Sequence, residues 1–167
     1  AGLYFAGGSI DNPSAHAGLT SFLSHAGLTS SAAHDLNPMR EALAFGSTLK
    51  PTSDNTVFGW SLRGGQNDLE AMLTLLMRIG TREEWAQEQM LLLSRRSADQ
   101  LTSLLDPGVQ QALAVAVSSS LGLPTPKGLY GHADHVRRFT QETVEGHWKR
   151  MVRPQRGTLV VVGGQAE

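Results

Sequence analysis

The side chains with chemical capacity in this sequence are six histidines, His16, His25, His34, His132, His135 and His147, and the serines that lie within a helical turn of one of them. In Gly18 to His25, GLTSFLSH, Ser21, Ser24 and His25 lie within five residues. Ser21 and His25 are four residues apart and so would be neighbours on a helix surface, where an imidazole can take a proton from a hydroxyl. A working nucleophile also needs an orienting acid and oxyanion donors, and no Gly-x-Ser-x-Gly elbow occurs in the chain. The small residues at 20, 21 and 24 are better explained as close helix packing. As metal ligands the histidines are no better arranged. His132 and His135, with Asp134 between them, would share a face only on a helix, which Gly131 and the loop before it disfavour. His16 and His25 are nine residues apart and do not share a helix face. Neither spacing is a zinc motif, and with no cysteine any zinc would need His, Asp or Glu.

The elements that must position these residues follow from hydrophobic period and from caps. A strand is expected over 2 to 8, ended by Gly7-Gly8. A helix is expected over 14 to 26, with Ser14 as N-cap and Ala15, Leu19, Phe22, Leu23 and Ala26 on its apolar side. A short helix opens at Pro38 after Asn37, with Met39, Leu43 and Phe45 apolar, and ends at Gly46. Strands 47 to 51 and 56 to 62 flank the turn residues Thr52 to Asn55. Asn67 or Asp68 caps a helix through Leu69, Met72, Leu73, Leu76, Met77 and Ile79. Thr81 with Glu84 forms a capping-box pattern that opens a long helix from Arg82 to Leu105. Asp106-Pro107-Gly108 breaks it before a helix over 109 to 121. After a loop at 123 to 131, Thr140 caps a last helix through Val144, Trp148 and Met151, and a strand closes the chain at 158 to 162. Strands grouped early and late around helices give an α+β sandwich, a sheet with helices packed mainly on one face.

Composition sets the outer limits. The chain has 167 residues, 40% of them hydrophobic and 17% charged, enough for one sizeable core in a single domain. A net charge of −1 with scattered basic residues gives no nucleic-acid footprint. No apolar run approaches the roughly 18 residues that span a bilayer, and no signal-peptide pattern opens the chain, so it is expected to be soluble, with cytoplasm and periplasm both open. It begins directly on Leu3-Tyr4-Phe5-Ala6 and closes on Val160-Val161-Val162-Gly163-Gly164. This leads to the expectation that 1–167 is one domain of a longer, two-domain protein.

The stretch Gly18 to His25 resembles the Gly-Leu-Ala-His-Phe-Leu-Glu-His signature of the pitrilysin/insulinase (M16) family of zinc peptidases, matching it at Gly18, Leu19, Phe22, Leu23 and His25. The likeness extends along the chain. FAGGSIDNP at 5 to 13 resembles the strand and turn before the family's metal helix, and FGSTLKPTSDNTVF at 45 to 58 resembles its following strand pair. Asp106-Pro107, Leu129-Tyr130-Gly131, the segment from Phe139 to Glu142, and Val160 to Gly163 fall in the family's order.

The resemblance implies a LuxS/MPP-like metallohydrolase sandwich with a mostly antiparallel sheet. It also implies an inverted His-x-x-Glu-His zinc motif in which two histidines bind the ion and the glutamate activates water. In this sequence Ser21 stands at the first ligand and Ser24 at the general base; only His25 is kept. The family's third ligand is a glutamate roughly seventy to eighty residues further on, where this chain reads SRRSADQLT with Asp99 as its one carboxylate. A catalytic zinc takes three protein ligands and an open position. The expectation is therefore a non-catalytic homologue that binds no metal cofactor, where the family binds zinc. Its expected partner is a second M16-like domain or a catalytic subunit, with which it forms part of a chamber for peptide. The strand at 56 to 62 would offer that peptide an edge. Two other readings stay open: an active metallopeptidase drawing on His25, His132, His135 or Asp99, and a binding or structural module without a proteolytic partner.

Overall fold

The structure, a computed structural model, describes residues 1–13, 16–29, 37–82, 85–104, 107–120, 131 and 133–163. Its order is β1 (Gly2–Ala6), α1 (Leu19–Ala26), α2 (Pro38–Ala44), β2 (Thr48–Ser53), β3 (Val57–Arg63), α3 (Leu69–Gly80), α4 (Gln87–Leu104), α5 (Pro107–Ser120), α6 (Ala133–Arg137), α7 (Gln141–Met151) and β4 (Gly157–Val160). The strands form one antiparallel sheet in the order β2-β3-β1-β4. This is the expected α+β sandwich.

Register explains why helices gather on one face. Leu3 pairs with Trp60 and with Leu159, Phe5 with Phe58, and Leu49 with Leu62, so alternate positions of all four strands place apolar side chains on the same side. Tyr4, Lys50, Ser61 and Thr158 take the other side. Leu19, Phe22, Leu23 and Ala26 of α1, Leu75, Leu76 and Ile79 of α3, and Val144, Trp148 and Met151 of α7 bury themselves in the apolar core. Its aromatic centre is a chain of rings, Phe5 to Phe58 at 5.5 Å, Trp60 to Trp148 at 5.5 Å and Trp148 to Trp85 at 5.0 Å between centroids.

Several local expectations need correction. α1 begins at Leu19 rather than near Ser14, because Gly18 before it has φ 88°, a left-handed conformation that a right-handed helix cannot run through. His16 is therefore not on the helix that carries His25, and Ser14 and Ala15 lie outside the described residues. On α2, Met39 and Leu43 point outward and Pro38 and Ala42 are the buried positions. Thr81, expected to open the long helix, donates its hydroxyl back to the Met77 carbonyl at 2.9 Å at the end of α3, and α4 begins at Gln87 rather than Arg82; Glu84, the other half of the expected capping box, lies outside the described residues. β3 is paired on both sides, with β2 and β1, so it presents no edge to a peptide; among the described residues the outer strands of the sheet are β2 and β4. The expected cap at Thr140 is made, its side chain accepting from the Thr143 amide, and Asn37 accepts from the Met39 amide ahead of α2, whereas Asp68, at the N-cap of α3, makes no side-chain cap bond; the Asp54 carboxylate accepts from the amides of Thr56 and Val57 at 2.7 Å to close the β2–β3 turn.

Candidate functional site

The two serines at the zinc-motif positions are packed into the protein's own structure. Ser24 is fully buried and Ser21 is 7% exposed. The Ser24 hydroxyl donates to the Ser21 carbonyl at 2.8 Å, and the same carbonyl lies 3.0 Å from His25 Nδ1, which donates to it as the Nδ1–H tautomer. The Ser24 carbonyl in turn accepts from the Trp60 indole N–H at 2.7 Å, fixing α1 to β3. His25 itself is exposed. Its bond to a backbone carbonyl leaves Nε2 as its ligating nitrogen, the arrangement common for a metal-bound histidine, but it is one donor.

The other candidates do not join it. Asp99 on α4 is 74% exposed in its side chain and pairs with Arg137 of α6 at 3.5 Å. His135 is on α6, half-buried, and His132 lies outside the described residues. His16 packs edge-on against Phe139, with 6.2 Å between centroids. Among the described residues no three His, Cys, Asp or Glu side chains come together as a metal would require. Among the described residues the donors at the expected positions, one imidazole, two serine hydroxyls of which Ser24's is spent on backbone, and a remote ion-paired carboxylate, do not fit catalytic zinc.

The inner side of α1 holds a network that the sequence did not single out. The Thr20 hydroxyl lies 2.6 Å from Asn12 Oδ1 and 3.1 Å from His147 Nε2, and the Asn12 oxygen also accepts from the Thr20 amide at 3.2 Å. Arg150 Nη2 is 2.7 Å from His147 Nδ1. A guanidinium only donates, so Nδ1 accepts and the imidazole proton sits on Nε2, donating to the Thr20 oxygen, whose own proton goes to Asn12. Burial, and then the Arg150 charge, push the His147 pKa down to about 4, so the ring is neutral. At the far end of α1 the Arg82 guanidinium donates to the carbonyls of Ala26 at 3.1 Å and Thr29 at 2.8 Å and lies 4.5 Å over the Trp85 ring. Burial and then the neighbouring Arg78 lower its pKa to about 10. The i, i+3 spacing of His147 and Arg150 was visible in the sequence; the approach of Thr20 and of the α1 carbonyls was not.

No protein-family model and no curated protein matches the sequence. Solved structures do. Over 93% of this chain, pitrilysin superposes with a TM-score of 0.78 at 13% identity, and the ferredoxin protease FusC, solved with Arabidopsis ferredoxin, with 0.80 at 14%. A putative M16-like peptidase from Alicyclobacillus acidocaldarius gives 0.70 at 14%. The fold is that of an M16 peptidase domain. The chain spans 17%, 18% and 38% of the lengths of those three proteins respectively. Identities this low carry the fold and leave the chemistry to the residues present, and α1 is where the M16 signature and this chain part company.

Proposed function

We propose that this M16-type domain is a non-catalytic one, which contributes wall and peptide-contacting surface to a peptidase assembly whose chemistry is performed by another domain or subunit. The observation that carries this reading is the fate of Ser24. It stands at the general-base position, yet it is fully buried and its hydroxyl is bonded to the backbone of its own helix. A hydroxyl is not a base at neutral pH, and a buried one that is already donating cannot activate water. The partner is a second M16-like domain or a catalytic subunit. The short share of each solved peptidase that this chain spans supports such an arrangement. Peptide contact would fall to β2, the edge strand on which α1 packs, although Pro51 removes one backbone donor there.

The test is a peptidase assay on unstructured peptides with zinc added and with zinc chelated. The domain alone is expected to give equal, background rates in both. Zinc-dependent cleavage that disappears in His25→Ala would favour the active-metallopeptidase reading, for which no cluster of donors speaks among the described residues.

A further inference from the structure

We draw no further inference here: the strongest candidate, the buried Asn12–Thr20–His147–Arg150 cluster that ties α1 to α7, belongs to the network already described, and its response to acid is the stability effect of that network alone.

Discussion

At the residue scale, His147 sits between two groups that fix its ring in one state. Thr20 needs a donor from Nε2 and Arg150 needs an acceptor at Nδ1, so protonation breaks one bond and adds a cation beside a guanidinium. Its folded pKa, about 4 against 6.5, is depressed. The unfolded chain therefore takes up the proton first. The associated stability is complete above pH 6.5 and is lost as pH falls towards 4, up to about 3 kcal/mol in all. Urea midpoints measured across that window should fall in the native chain and fall less in His147→Gln; parallel curves would count against the neutral, clamped imidazole. Asp11 and His16 also act on this ring, the first raising and the second lowering its pKa. At Ser24 the prediction runs against the M16 signature. Ser24→Glu would place a carboxylate in a fully buried position whose partners are backbone, and is expected to destabilise the domain by about 3 kcal/mol. A variant as stable as the parent would mean that the position is open to solvent. Ser21 and Ser24 could be read from the sequence as departures from the M16 signature, and His25 as a match to it, because that comparison needs only local order. The sequence could not rank His147 above the other histidines, because the hydroxyl that decides its role lies 127 residues away.

At the element scale, α1 is defined by what holds its ends. Gly18 turns the chain with a left-handed residue, and Arg82 closes the far end by donating to the Ala26 and Thr29 carbonyls. Arg82→Lys is expected to lower stability by about 1 kcal/mol, since one ammonium cannot bridge two carbonyls and lie flat on Trp85; equal denaturation midpoints would show that the cap is dispensable. Gly18→Ala should cost about 1–2 kcal/mol at φ 88°. Periodicity located α7 well because it presents Val144, Trp148 and Met151 as one buried stripe after the Thr140 cap; it found α3 too, although Met77 is exposed there and the buried Leu75 fell outside the expected face. It misplaced the start of α1, where apolar residues continue past the helix into a turn, and it misjudged α2. There Met39 and Leu43 looked like the inward face, yet the small Ala42 is what packs close to the sheet. Strand 56 to 62 was legible as a strand and not as an inner one, because order within a sheet is set by pairings distant in sequence.

At the scale of the whole molecule, the apolar face of the sheet, the helices over it and the aromatic chain from Phe5 to Trp85 form the scaffold, and α1 packs against β2 and β3. What differs from the M16 signature is the donor set. One exposed imidazole remains, the two serines are buried in α1 and bound up in its packing, and Asp99 is turned to Arg137. Each of these departures is small in sequence, and among the described residues no three side chains come together as the ligands that zinc catalysis needs. The most direct measurement is the zinc content of the purified chain after incubation with the metal and removal of the excess, compared with His25→Ala. The account predicts well under about 0.1 zinc per chain, the same in both proteins, since one imidazole holds zinc only weakly. One zinc per chain, lost in His25→Ala, would contradict it.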